Sequence, residues 1–275
     1  MKMIAASKRE LTRLFVLAFI CVLSRPIYGQ SQPAILRNIG ITQKMNAQVP
    51  LDVPFYDEEG KTVTLRHYLG KPVILALVYY QCPSLCNLVL NGIVKSAREL
   101  TMTAGNDFDV VAVSFDSRET PEMAAAKKKS YVKEYNRAGT EDGWHFLTGP
   151  DASSRMLADA VGFRYSYDSM TNQFAHASGI MILTPEGRVA RYFYGVEYPS
   201  RDMRLGLAEA SEGRISSPAV QVLLYCYHYD PSRGRYGLVV MNVLRAGGAI
   251  TVICLAALLF VLMRHDPQRA HRGAA

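Results

Sequence analysis

One unbroken apolar run, Val73-Ile74-Leu75-Ala76-Leu77-Val78, and a second, largely apolar run from Phe108 to Phe115 stand out along this chain. Such runs are expected for strands in the middle of a sheet covered on both faces. After the first run, Leu85, Leu88, Val89, Gly92, Ile93 and Leu100 recur at helical spacing. Thr120-Pro121-Glu122 predicts a helix start, with Thr120 as N-cap and Pro121 in the first turn, and the helix runs to about Asn136. Trp144 to Thr148 reads as a short strand, and Gly149-Pro150-Asp151 turns into a helix reaching about Val161. Ser178 to Thr184 and Val189 to Tyr194 are two strands joined by the turn Pro185-Glu186-Gly187-Arg188. A last helix covers about Ser200 to Glu212, and a hairpin around Asp57-Glu58-Glu59-Gly60 occupies Asp52 to Leu65. This order predicts an α/β fold, a mixed sheet with helices on both faces.

Both ends of the chain are patterned for a membrane. Lys2, Lys8, Arg9 and Arg13 precede an apolar run from Leu14 to Leu23, so residues 1–29 read as a signal peptide or N-terminal anchor. Cys21 lies inside that run as a plain apolar residue. Ala246 to Met263 carries no charge and only Thr251 as a polar side chain, close to the roughly 20 residues that cross a bilayer core. Extended back to Gly237, this predicts a transmembrane helix over 237–263, with Arg245 snorkelling. Residues 264–275 hold Arg264, Arg269 and Arg272 against one acid, Asp266, which puts that tail in the cytoplasm. The main domain then lies on the periplasmic side of the cytoplasmic membrane. Residues 30–50 read as a linker, 51–213 as the domain and 214–236 as a juxtamembrane segment.

The 275 residues carry a net charge of +7, and Lys127-Lys128-Lys129 is the one basic run. It falls on a helix without a stacking-aromatic motif, so it reads as a solvated face, and nucleic acid is not an expected partner. Five cysteines are too few for a disulfide-built scaffold. Two of them, Cys82 and Cys86, sit where the first buried strand gives way to a helix. Residues four apart share a helix face, and the amides and dipole of a helix N-terminus favour thiolate over thiol. Such a pair serves electron exchange or binding of a soft metal. Peroxidase chemistry of the peroxiredoxin kind is disfavoured, because the required Thr three places before the reactive cysteine is Tyr79 or Pro83 here.

Cys82-Pro83-Ser84-Leu85-Cys86, Val113-Ser114-Phe115-Asp116 with Glu119-Thr120-Pro121-Glu122, Trp144-His145-Phe146-Leu147-Thr148-Gly149, and His176 before Ser178 to Thr184 form one pattern. On these residues the chain resembles the Sco/SenC family of thioredoxin-like copper proteins over about residues 45–212. The resemblance implies a thioredoxin-like fold and one copper ion, Cu(I) or Cu(II), bound by Cys82, Cys86 and His176. It also implies a role in building the binuclear copper centre of cytochrome c oxidase, with subunit II or a similar copper-receiving protein as partner. The family often has an acid before the histidine; Ala175 stands there, and Ser117 and Glu119 stand where Pro and Asp are common. Two thiolates suit Cu(I), an imidazole suits both oxidation states, and three ligands leave a position open for exchange.

Three functions follow as alternatives: a membrane-anchored copper metallochaperone, a thiol-disulfide reductase cycling a Cys82–Cys86 disulfide to keep the oxidase's copper-binding cysteines reduced, and an assembly factor that docks through its membrane helix. Asp116 is expected to cap the following segment, the other option being contact with the cysteine loop. Cys226-Tyr227-His228 offers a possible second soft-metal site at Cys226 and His228, against a reading as an incidental interfacial segment. Cys254 reads as a small apolar residue of the membrane run, and His67 and His145 as structural residues.

Overall fold

β4 (Val73–Val78) lies at the centre of a five-stranded sheet, and all six of its residues are buried. The computed structural model describes residues 39–82, 85–215 and 247–258, with the backbone of Tyr229–Asp230 and Arg235–Tyr236. On one side β4 pairs in parallel with β5 (Asp109–Ser114), which pairs in parallel with β6 (Trp144–Leu147). On the other it pairs antiparallel with β9 (Gly179–Leu183), which continues antiparallel to β10 (Val189–Tyr194). The order β10-β9-β4-β5-β6 is the mixed sheet that the apolar runs predict.

Complete burial of β4 and β5 requires cover on both faces. α1 (Leu85–Glu99) packs against α2 (Pro121–Tyr135) and α4 (Ser200–Ser211). α3 (Asp151–Ala160) packs instead against β7 (Phe163–Asp168), and its Ser154 Oγ donates to the Ser114 carbonyl at the end of β5, 3.0 Å away. Gly92 permits the close approach of α1 to the 195–198 loop: a Cβ there would stand 2.0 Å from the Val196 carbonyl oxygen. The expected hairpin is present as β2 (Pro54–Tyr56) and β3 (Thr62–Thr64). Thr120 is the N-cap residue of α2, although its side chain makes no capping hydrogen bond.

The structure adds a second sheet. β7 and β8 (Gln173–His176) form an antiparallel hairpin, and β1 (Gly40–Ile41) pairs with the outer side of β7. The alternation Phe163, Tyr165, Tyr167 is the period-2 signal that marks β7, and Asn172 at φ 55° lies in the turn before β8.

The expected linker over 30–50 needs correction in its second half. Thr42 N donates to the Gly162 carbonyl (2.8 Å), Asn46 N to Val189 (2.9 Å) and Val49 N to Gly187 (3.0 Å), and Val49 is buried. Residues 40–49 are therefore part of the domain: their backbone groups find sheet partners that composition does not reveal.

Among the described residues no helix is long and apolar enough to cross a membrane. Residues 247–258 are helical, with Ile250, Ile253, Leu255 and Leu258 exposed; the remainder of the expected 237–263 span lies outside the described residues. The expected signal or anchor over 1–29 and the candidate pair Cys226 and His228 also lie outside them.

Candidate metal centre

Val78 ends β4, and the Phe115 amide donates to its carbonyl (2.9 Å), so the ends of β4 and β5 stay in register as the chain leaves the sheet. Tyr79, Tyr80 and Gln81 carry the backbone to Cys82, and α1 places Cys86 in its first turn. His176 arrives from elsewhere, as the last residue of β8, opposite Tyr165. Its ring sits in an aromatic wall, with ring centroids 5.3 Å from Phe115, 6.0 Å from Tyr79 and 6.1 Å from Phe163.

Cys82, Cys86 and His176 converge, all three buried, with their ligand atoms within 4.8 Å of one another. Cys86 Sγ and His176 Nε2 are 3.2 Å apart. Ligand atoms that sit about 2.0–2.3 Å from a shared ion stand roughly 3.3–4 Å from each other, so this group needs only a small contraction to hold one. His176 Nδ1 lies 2.8 Å from the Ala177 carbonyl oxygen. A carbonyl only accepts, so Nδ1 is the donor, and in the tautomer protonated there alone the Nε2 lone pair faces the sulfurs. That is the tautomer a metal-ligating histidine needs.

Both sulfurs receive backbone amides. Cys86 N donates to Cys82 Sγ at 3.3 Å, and Tyr79 N donates to Cys86 Sγ at 3.4 Å. The Tyr79 phenol also hydrogen-bonds the Cys82 side chain; burial first, and then that bond, hold the phenol above its ordinary range. The two cysteines are thiols, not a disulfide.

The expectation of an activated thiolate is overturned at Cys86. Burial, reinforced by the hydrogen bond with Cys82, pushes the Cys86 thiol well above the ordinary thiol range. The amide from Tyr79 opposes that shift but does not offset the loss of water.

The acid that touches the cysteine loop is Glu119, a role the sequence reading did not give it. Asp116 instead caps its own turn, accepting from Arg118 N (3.0 Å) and pairing with the Arg118 guanidinium (2.7 Å), as expected. Glu119 is buried and accepts from Tyr80 N (2.7 Å), Gln81 N (2.6 Å) and Ser114 Oγ (2.6 Å). His145 is far from this chemistry in character: burial pushes it down to about 3, and it packs against Tyr68.

The profile of the SCO1/SenC family matches residues 43–209. The chain belongs to the SCO1/SenC family. Among solved structures, a candidate electron transfer protein from Aquifex aeolicus VF5 shares 29% identity at a TM-score of 0.55, over 62% of this chain and 96% of that one. A candidate electron transport protein from the same organism shares 26% identity at a TM-score of 0.52, over 62% and 99%. ScoI from Arabidopsis thaliana, solved with copper bound, shares 21% identity at a TM-score of 0.47, over 58% and 96%. No curated protein matches the chain. In this SCO1/SenC chain the cysteine pair sits on the loop and helix that follow the central strand β4, and the histidine ends β8 of the second sheet.

Proposed function

We propose that this chain is a membrane-anchored copper metallochaperone of the cell envelope. It takes up one copper ion as cargo on Cys82, Cys86 and His176 and passes it to cytochrome c oxidase subunit II or a similar copper-receiving protein. The observation that carries this reading is the convergence of two thiol sulfurs and an imidazole Nε2 in one buried group. Membership of the SCO1/SenC family supports copper as the cargo. So does the donor set: paired sulfurs prefer Cu(I), the imidazole tolerates Cu(II), and three ligands leave room for an incoming donor to begin the exchange.

Cys86 Sγ lies in hydrogen-bond contact with His176 Nε2, and loading expels the Cys86 proton as the sulfur becomes a thiolate ligand. The amides of Cys86 and Tyr79 then face negative sulfur without needing to move. The reductase alternative would have to attack through Cys82, because burial makes the Cys86 thiol a poor attacking group near neutrality. The anchoring part of the proposal rests on the apolar 237–263 stretch, with the domain outside the cytoplasmic membrane and 264–275 inside.

The test is copper stoichiometry of the full chain and of His176→Ala, with oxidase maturation in cells that depend on the chain. One copper per chain, lost together with maturation in the variant, is the expected result. Full maturation with His176→Ala overturns the metallochaperone reading, since a pure dithiol reductase does not need that ring.

A further inference from the structure

The two halves of the metal centre are gripped by two consecutive side chains of one turn. Glu119 holds the cysteine half. Its Oε2 accepts from Tyr80 N and Ser114 Oγ and its Oε1 from Gln81 N, so both carboxylate oxygens are committed to the backbone leading into Cys82. Arg118 holds the histidine half. Its Nη1 donates to Asn172 Oδ1 (3.0 Å) and Tyr167 Oη (3.4 Å), and its guanidinium lies 5.0 Å from the Tyr167 ring centre and 5.6 Å from that of Phe174. Those residues belong to the β7–β8 hairpin that ends in His176. The same guanidinium is fixed from behind by both oxygens of Asp116, through Nε at 2.8 Å and Nη2 at 2.7 Å.

We infer that Arg118 and Glu119 are positioning residues that couple the cysteine loop to the histidine hairpin and so set the ligand geometry. Neither touches the ion; each acts through the backbone or hairpin it holds. A planar, bidentate guanidinium stacked on aromatic rings fixes direction as well as distance, which a flexible ammonium does not. A buried carboxylate accepting three donors tolerates no isosteric amide, because a Gln at 119 must aim its NH2 at one of the N–H donors. Besides the Cys86–His176 contact and the Phe174 amide that donates to the Tyr79 phenol, the hairpin meets the cysteine loop through aromatic packing around Phe115 and Tyr79, which resists separation more than sliding. The turn adds a directional hold on both halves at once.

This inference rests on the reading of Cys82, Cys86 and His176 as copper ligands, and its test separates the two. The full chain and its Glu119→Gln, Arg118→Ala and Arg118→Lys variants are compared in Cu(I) affinity, by competition with a chromophoric chelator, and in the sulfur-to-Cu(II) charge-transfer spectrum. Amide hydrogen exchange over residues 79–82 and 163–176 is read without metal. Glu119→Gln is expected to speed exchange at 79–82, and Arg118→Ala at 163–176. Each should shift the charge-transfer band and weaken copper by on the order of tenfold or more, the scale of outer partners of metal ligands.

Arg118→Lys keeps the charge on a half-exposed side chain, so it folds even if Glu119→Gln does not, and it should behave as Arg118→Ala. Folded variants with unchanged exchange, spectrum and affinity overturn the inference. A parent chain that binds no copper overturns the functional reading instead. The metal-free exchange pattern then still decides the coupling: faster exchange in the segment each side chain grips supports it, and unchanged exchange removes it.

Discussion

Nε2 of His176 stands 3.2 Å from Sγ of Cys86, residues separated by 90 positions in the chain. At that distance the thiol proton of Cys86 has an acceptor within the site, and a metal ion entering between them must displace it.

The pH dependence follows from that proton. Burial raises the Cys86 thiol, so it stays protonated through the neutral range and metal must compete with hydrogen ion. Copper affinity should therefore rise with pH, by about tenfold per pH unit for each proton displaced, and loading in weak buffer should acidify the solution. Affinity flat between pH 6 and 8, measured by chelator competition, would show that Cys86 enters the site already ionised.

Tyr80 ties the cysteine loop to the sheet by a route independent of Glu119. Its buried hydroxyl lies 3.0 Å from the Ala112 carbonyl and 2.7 Å from that of Leu147, reaching across the ends of β5 and β6. Tyr80→Phe should lower stability by about 1 kcal/mol, since it removes a buried hydroxyl and its hydrogen bond to the sheet. Chemical denaturation is the measurement, and an unchanged midpoint contradicts the assignment.

Gly92→Ala should destabilise the fold although alanine favours helices. The added Cβ would lie 2.0 Å from the Val196 carbonyl, so α1 must move away from the 195–198 loop. A cost of about 1–3 kcal/mol is expected from overpacking, read as a fall in Tm of several degrees. A rise in Tm would mean that the loop yields freely.

The membrane prediction concerns the C-terminal stretch. In a chain carrying a cleavable export signal, truncation after Ile215 should move the protein from the membrane fraction to the soluble envelope fraction. Retention in the membrane after that truncation would locate the anchor elsewhere.

The strands and helices of the main sheet were legible because their cause is local. Val73 to Val78 is too apolar to lie anywhere but between two covered faces, and Thr120-Pro121 starts a helix by its own chemistry. The cysteines announced themselves by spacing. His176 did not: its role depends on a hairpin that closes over Phe115, and only the family resemblance pointed to it. The β7–β8 hairpin is hard to read because its alternating aromatics run from buried Phe163 to exposed Tyr167 between polar residues, a weaker signal than an apolar run. The raised Cys86 thiol is hidden from the sequence for a related reason. Helix position can be read along the chain, but dehydration is a property of what folds over it. Glu119 escaped notice because an acid next to a helix start looks like a solvent-facing cap until the loop it holds is visible.

The late arrival of β8 gives copper a further meaning for this polypeptide. A nascent chain that has made only the cysteine loop presents a bare dithiol, open to oxidation and to weak, promiscuous metals. The complete trio exists only once the hairpin that ends in His176 has docked. On the proposed reading, cargo uptake requires a finished tertiary structure, and the bound ion in turn acts as a cross-link that makes the loaded form more stable than the empty one.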